Sequence, residues 1–352
     1  MLFDGIARRA LGYADDGAGP AAPPPRPPRP TVKVGLALGG GAARGWAHIG
    51  VLQVLDRAGI RPEVITGCSI GAVVGGCYAA GKLDEIERFA LSLTKRRIMG
   101  LLDVHIGGSG LIGGDRLRRL LDVDLQDVRI ESLPIKFGAV ATELVTGHEI
   151  WIKRGSLVDA LRASYALPGV FPPVRLGGRW LMDGALVNPV PVTVARASGA
   201  DFVICVNLNN EVRLRGTVIQ AEDDGDGAEP PAAGEVPEPA RMWGFIPQFL
   251  DASGHRRSSR QPGAPGIAAV MVDAFNITQD RISRSRLAGD PPDAMVSPRL
   301  ARIGLFEFHR AAEAIELGRT AAERALPEIR ETLDAALGVT ASPNPMVQAV
   351  AM

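Results

Sequence analysis

Short apolar runs alternate with amphipathic stretches along most of this chain from residue 32 onward. The apolar runs predict strands at 32–38, 62–66, 135–142, 149–153, 202–208 and 294–297. Apolar residues at helical spacing predict helices at 46–58, 70–80, 83–96, 115–122, 156–165, 267–287 and 308–336. Strands that alternate with helices predict an α/β fold, a three-layer α/β/α arrangement with a mostly parallel central sheet.

Composition shifts divide the chain into one folded domain and several flexible segments. Residues 1–30 end in a proline-rich run that cannot build a packed core, which predicts a flexible leader. Residues 211–266 are rich in proline, glycine, alanine and acidic side chains, which predicts a largely disordered insertion. The folded core is expected at 31–210, residues 267–338 are expected to complete the same domain, and 339–352 to form a flexible tail.

Charge and cysteine content argue against several classes of protein. Lysine plus arginine and aspartate plus glutamate each number 39 among 352 residues, so the net charge does not favour binding to nucleic acid. Cys68, Cys77 and Cys205 lie in apolar segments without metal-ligand spacing, which indicates buried, reduced thiols. Neither a basic leader before an apolar run nor an apolar stretch of about 18 residues is present, so we expect a cytoplasmic protein.

The strongest chemical signal is the pentapeptide Gly67-Cys68-Ser69-Ile70-Gly71. A β-branched strand precedes it, and a helix of small residues follows it. A serine on such a sharp strand-to-helix turn has little room around its backbone, so glycine is favoured two positions before it and two positions after it. The pattern is typical of a nucleophile elbow. It makes Ser69 the candidate nucleophile, with Gly67 and Gly71 as its support.

A glycine-rich turn that begins with Gly39, Gly40 and Gly41 lies between the first strand and the first helix. Such a turn presents backbone N–H groups to an anion, either a phosphate or the oxyanion of an acyl-transfer intermediate. A dinucleotide fingerprint needs glycine where Arg44 stands, and a P-loop needs lysine where Trp46 stands, so both nucleotide templates fail. Beside a serine elbow, an oxyanion hole is the better interpretation.

A nucleophilic serine needs a base, because its hydroxyl is scarcely ionised at neutral pH. Asp183 ends an apolar strand and precedes Gly184, which makes it a candidate base, although Asp-Gly also marks ordinary turns. Histidine is the usual base. The chain order Ser69, Asp183, His309 matches that of α/β-hydrolases, so a triad with His309 stays open as an alternative.

Together these motifs resemble those of bacterial patatin-like phospholipases related to neuropathy target esterase. The resemblance rests on GLALGGGAARGWAHIGVL at 35–52, GCSIG at 67–71, SYALPGVFPPV at 164–174 and LMDGALVNPVPV at 181–192. It implies a Ser69–Asp183 dyad rather than a triad. It also implies that the amides around the three glycines at 39–41 form the oxyanion hole, with Arg44 close by.

The resemblance further implies a reaction class. Fatty-acyl ester bonds of phospholipids, lysophospholipids or related lipids would be cleaved through an acyl-enzyme, with neither metal nor cofactor. An alternative is a non-catalytic adaptor on the same fold that binds lipid or a protein partner.

Two segments outside the resemblance are candidates for contact with a membrane. Trp243, Phe245 and Phe249 form an apolar island in the insertion, followed by a basic stretch, and could act as a lid or an interfacial patch. The other interpretation is an inert linker that carries a partner motif. The amphipathic residues 1–14 could also meet a membrane or another subunit, although a frayed terminus is the simpler expectation. Peripheral association with the inner membrane is therefore open.

Overall fold

Within residues 31–101, 113–209 and 267–338, which the computed structural model describes, eight strands form one mixed sheet. The strands are β1 Val34–Leu38, β2 Val64–Cys68, β3 Lys136–Glu143, β4 Glu149–Ile152, β5 Val174–Leu176, β6 Arg179–Asp183, β7 Phe202–Val206 and β8 Ala294–Val296. Their order is β5-β6-β3-β2-β1-β7-β8, and β4 also pairs with β3. The neighbours in the run β3-β2-β1-β7-β8 pair in parallel. Strands β4 and β6 pair antiparallel with β3, and β5 pairs antiparallel with β6.

The same described residues contain nine α-helices. They are α1 Ala47–Arg57, α2 Ile70–Ala79, α3 Leu83–Leu91, α4 Lys95–Leu101, α5 Asp115–Leu125, α6 Leu157–Ser164, α7 Val192–Ala197, α8 Ile267–Gly289 and α9 Ala311–Ala336. Among these helices, none combines the length and the apolarity that crossing a membrane requires.

Two apolar cores lie on opposite faces of the sheet. Strand β7 shows why, because side chains of a strand alternate between its faces. Ile204 and Val206 belong to the larger core, which includes residues of α1, α2, α6 and α9, whereas Val203 and Cys205 belong to the smaller core beneath α7. The predicted three-layer α/β/α arrangement is confirmed. Strand β8 pairs in parallel with β7, so the chain after 267 contributes to the same sheet.

Local chemistry explains where the elements differ from the prediction. The helix predicted at 83–96 is two helices, because the Ser92 hydroxyl bonds back to the Phe89 carbonyl and the Thr94 hydroxyl accepts from the Arg97 amide. The hairpin β5–β6 turns at Gly177 and Gly178, whose φ values of 57° and 79° suit the two-residue turns that match strand twist.

Several predicted segments lie outside the described residues. They are the leader at 1–30, the insertion at 211–266 with its apolar island, and the tail at 339–352.

Candidate active site

The predicted elbow is a sharp turn between β2 and α2, and Ser69 stands at its apex. Its backbone has φ 54° and ψ −125°, a combination that costs a non-glycine residue about 1–3 kcal/mol. A Cβ on Gly67 would lie 2.4 Å from the Ala72 Cα, and one on Gly71 would lie 2.2 Å from the Leu38 carbonyl oxygen. Both glycines are therefore sterically required, and the strained residue between them is the candidate nucleophile.

The Ser69 hydroxyl donates a hydrogen bond directly to the Asp183 carboxylate, with 2.7 Å between Oγ and Oδ2. Asp183 is the last residue of β6 and is 2% exposed. Its carbonyl oxygen accepts from the Thr142 hydroxyl, and its amide donates to the Ala166 carbonyl. Because a Cβ on Gly184 would lie 2.3 Å from the Val140 carbonyl oxygen, glycine is the residue that lets β6 turn away beside β3.

Burial changes the acidity of this carboxyl group. Desolvation raises the pKa of Asp183 from its ordinary 3.8 to about 6, and hydrogen bonds from the Ala185 amide and the Ser69 hydroxyl oppose this rise. The Ala185 amide lies 2.9 Å from Oδ1, and the Cys68 thiol lies 4.0 Å from the same oxygen. A base whose pKa lies near 6 is ionised at neutral pH and still accepts a proton more readily than an ordinary aspartate.

The glycine turn lies against the nucleophile, since a Cβ on Gly40 would be 3.5 Å from the Ser69 Cβ. The Gly39 amide donates to Val206 and the Gly40 amide to Pro189, at 3.0 and 2.9 Å from the carbonyl oxygens. The prediction of these two amides as oxyanion donors does not agree with this geometry, because their hydrogens are already engaged. Within the part of the chain that the structure describes, the amides of Gly41 and Ala42 donate to no backbone carbonyl.

Arg44 supports the turn from the other side. Its Nε donates to the Ile303 carbonyl oxygen at 2.9 Å, and its amide donates to the Gly41 carbonyl oxygen at 3.1 Å. These contacts tie the turn to the loop before α9, and the place of Arg44 at the oxyanion hole stays a prediction.

Histidine does not stand between the serine and the carboxylate, because a 2.7 Å hydrogen bond leaves no room for an imidazole. His309 lies in the short helix Phe308–Arg310, where burial first and the nearby Lys95 second lower its pKa. The triad with His309 therefore disagrees with the observed contacts. His48 is fully buried, with its Nε2 2.8 Å from the Gly39 carbonyl oxygen. Burial lowers the pKa of His48 to about 4, so it holds the turn as a neutral ring.

Ser164 is a supporting residue that the sequence patterns did not single out. It ends α6 and is fully buried. Its hydroxyl oxygen accepts from the Ser69 amide at 2.9 Å and donates to the Val140 carbonyl oxygen at 2.6 Å. The strained backbone of the nucleophile is thus held through Ser164 to β3. Ser164 begins SYALPGVFPPV, one of the stretches on which the resemblance rests, but local spacing gave it no role.

We expect Ser164→Ala to lower kcat by about 10- to 100-fold with little change in KM. The substitution leaves the Ser69 amide without its acceptor, and small displacements of a reacting group have costs of this size. Steady-state hydrolysis of a p-nitrophenyl ester measures the effect. Ser156→Ala is the matched control, because Ser156 caps the other end of α6 by accepting from the Asp159 amide. Unchanged kcat in Ser164→Ala, or an equal loss in both variants, would contradict a positioning role.

Comparison with known proteins decides the family. A family model described as patatin-like phospholipase matches residues 36–196. An uncharacterized NTE family protein of Mycobacterium bovis is 35% identical over 332 residues, which cover 84% of this chain and 91% of the relative. The chain belongs to the patatin-like phospholipase family, in its NTE group. The resemblance predicted from the motifs is thereby confirmed, and the family supports a lipid hydrolase activity in general.

Two further comparisons match a shorter part of a relative and a more distant solved structure. Patatin-like phospholipase domain-containing protein 6 of Mus musculus is 34% identical over 185 residues, which cover 51% of this chain and 14% of that protein. The crystal structure of VipD from Legionella pneumophila aligns with 85% of this chain and 67% of that one, at 14% identity and a TM-score of 0.48.

Proposed function

We propose that this protein hydrolyses fatty-acyl ester bonds of phospholipids, lysophospholipids or related lipids with a Ser69–Asp183 dyad. The observation that carries the proposal is the 2.7 Å hydrogen bond from the Ser69 hydroxyl to a buried carboxylate. Strain supports it, because Ser69 and Ala42 are the two described non-glycine residues with positive φ, and both border the candidate site. Membership of the patatin-like phospholipase family supports the lipid ester as the substrate class.

In the first half of the reaction, Asp183 Oδ2 takes the Ser69 hydroxyl proton while Oγ attacks the ester carbonyl carbon. The carbonyl oxygen becomes an oxyanion, for which the amides of Gly41 and Ala42 are the candidate donors within the glycine turn, since they donate to no described backbone carbonyl. When the tetrahedral intermediate collapses, the C–O bond to the alcohol breaks and Asp183 returns the proton to the leaving oxygen. The products of this half are the free alcohol and an acyl ester on Ser69.

In the second half, Asp183 takes a proton from water, and the resulting hydroxide attacks the acyl carbon. Collapse of the second intermediate breaks the bond to Oγ, and Asp183 returns the proton to Ser69. The fatty acid leaves, and the dyad is restored. One carboxylate therefore serves as base and acid in both halves, which a pKa near 6 favours at neutral pH.

A fluorophosphonate probe tests this assignment on the full chain. We expect one probe per folded molecule in intact-mass spectra, on the peptide that contains Ser69, because the probe reports an activated serine. The His309→Ala variant should label and turn over as the wild type does. Absence of label on folded protein would indicate a non-catalytic adaptor. Loss of activity in His309→Ala together with retention in Asp183→Asn would indicate a triad.

A further inference from the structure

Two neighbouring turns at one end of the antiparallel part of the sheet form a continuous exposed surface. One is the turn at 144–148 between β3 and β4, and the other is the hairpin β5–β6. The Leu144 amide donates to the Trp180 carbonyl at 2.8 Å, and Trp180 is paired in register with Arg175. Residues opposite each other on adjacent strands share a face, so Leu144, Trp180 and Arg175 form a row across three strands. We call residues 144–148 and 175–180 the hairpin tip.

The hairpin tip exposes large apolar side chains that other parts of the sheet bury. Val145 is 81% exposed, Trp180 47% and Leu144 44%, whereas Leu181, the next residue along β6, is 1% exposed. Contiguous exposed apolar side chains of this kind mark surfaces that meet a partner or a lipid phase.

The exposed charged side chains of the hairpin tip are all cationic, and the two neighbouring carboxylates are engaged in hydrogen bonds. Glu143 is buried and bonded to Thr146, and Glu149 is bonded to Trp151, Asn188 and Arg286. The exposed cations are Arg175 and Arg179, and the Arg175 guanidinium lies 5.9 Å from the centre of the Trp180 ring. Apolar side chains with a basic rim complement a membrane surface, whose interior is apolar and whose headgroups are anionic.

We propose that the hairpin tip docks this protein on an anionic lipid bilayer. Tryptophan suits the bilayer interface because its ring is apolar while its N–H is polar, and arginines beside it attract anionic headgroups. Trp180 lies three residues before Asp183 on β6, about 10 Å along the strand, so docking brings the bilayer close to the candidate site. The activity part of the test rests on the proposed function, whereas the binding part does not.

Flotation of the full chain with vesicles tests the apolar part of the hairpin tip. We expect binding to vesicles of phosphatidylcholine with 30% phosphatidylglycerol, and at least about tenfold weaker binding for Val145→Asp, because a carboxylate would replace an inserted apolar group. Val123→Asp is the matched control, since Val123 is 79% exposed on α5. Trp180→Gln should weaken binding in the same direction. Unchanged binding in Val145→Asp and Trp180→Gln, or an equal loss in Val123→Asp, overturns the proposal.

The basic rim is tested by the double variant Arg175→Gln, Arg179→Gln. Each cation near an anionic surface contributes about fivefold in binding, so we expect a loss of about 25-fold and a weaker salt dependence. The control is Arg324→Gln, Arg330→Gln, which removes the same charge from exposed positions on α9. Equal binding of the wild type to vesicles of phosphatidylcholine alone, or equal losses in both double variants, contradicts the anionic partner.

Activity separates docking from damage to the site. Val145→Asp should hydrolyse p-nitrophenyl butyrate, a water-soluble ester, at the wild-type rate and lose turnover on vesicles. Equal loss on both substrates overturns docking as the cause. If the wild type hydrolyses neither substrate while flotation behaves as expected, the proposed function fails and the docking surface stands. A change of oligomeric state in Val145→Asp without a change in flotation assigns the surface to a second copy of the chain, which also overturns the proposal.

Discussion

Replacing Ser69 with alanine is expected to lower kcat for ester hydrolysis by at least about 10⁴-fold while the fold is retained. The alanine lacks the oxygen that becomes acylated, so the remaining amides and the carboxylate cannot complete the first half of the reaction. The measurement is steady-state hydrolysis of a p-nitrophenyl ester, with circular dichroism as the check on folding. Activity near the wild-type level in Ser69→Ala would remove this serine from the reaction.

A second variant at the same position tests whether the elbow is strained. Ser69→Gly also lacks the nucleophile, but glycine adopts φ near 54° without the steric conflict that a side chain causes. We therefore expect Ser69→Gly to be more stable than Ser69→Ala by about 1 kcal/mol or more in urea unfolding, with activity lost in both. Equal stability of the two variants would show that Ser69 is not strained.

Replacing Asp183 with asparagine is expected to lower kcat by about 10²- to 10⁴-fold, the usual contribution of a general base. The amide keeps nearly the same shape, and its oxygen still accepts from Ala185, so the loss reports the missing base. In the wild type, kcat/KM should fall about tenfold per pH unit below about 6, because Asp183 acts only when ionised. Asp201→Asn is the control, as this aspartate is exposed and bonds the Lys33 amide.

The same substitution should stabilise the fold, with a pH dependence of definite sign. Because burial raises the pKa of Asp183 from 3.8 to about 6, the folded state binds this proton more tightly than the unfolded state does. Wild-type stability therefore falls as the pH rises from about 4 to about 6, by about 2–3 kcal/mol. Asp183→Asn avoids this loss. It should match the wild type near pH 4 and exceed it above pH 6 in urea unfolding, and a constant difference would contradict a raised pKa.

The pattern of apolar residues predicted most of the fold. The central strands are buried on both faces, so they appear in the sequence as unbroken apolar runs. Strands β1, β2 and β7 are each buried at every position. The helix α7 escaped prediction because it is six residues long, too short for a helical period to appear. Local pattern does not show that β8 pairs with β7, because this pairing joins residues about ninety positions apart.

Part of the site was predictable because close backbone contacts require glycine, and glycines at fixed spacing are visible in the sequence. Gly67 and Gly71 flank Ser69 since any side chain there would collide with backbone. The hydrogen-bond partners left no such mark. Ser164 and His48 support the elbow and the glycine turn through single contacts that local spacing does not encode.

The sequence by itself determined the layered α/β class and indicated the elbow around Ser69, while the base stayed open between Asp183 and His309 apart from what the resemblance implied. Only the tertiary structure decided that the carboxylate of Asp183 reaches Ser69 directly, since 114 positions separate the two and strand pairing alone closes that distance. It also decided which amides of the glycine turn remain unengaged, because Val206 and Pro189 approach Gly39 and Gly40 from distant segments. Local spacing fixes where a backbone can bend, whereas desolvation and hydrogen-bond partners depend on what the whole fold packs around it.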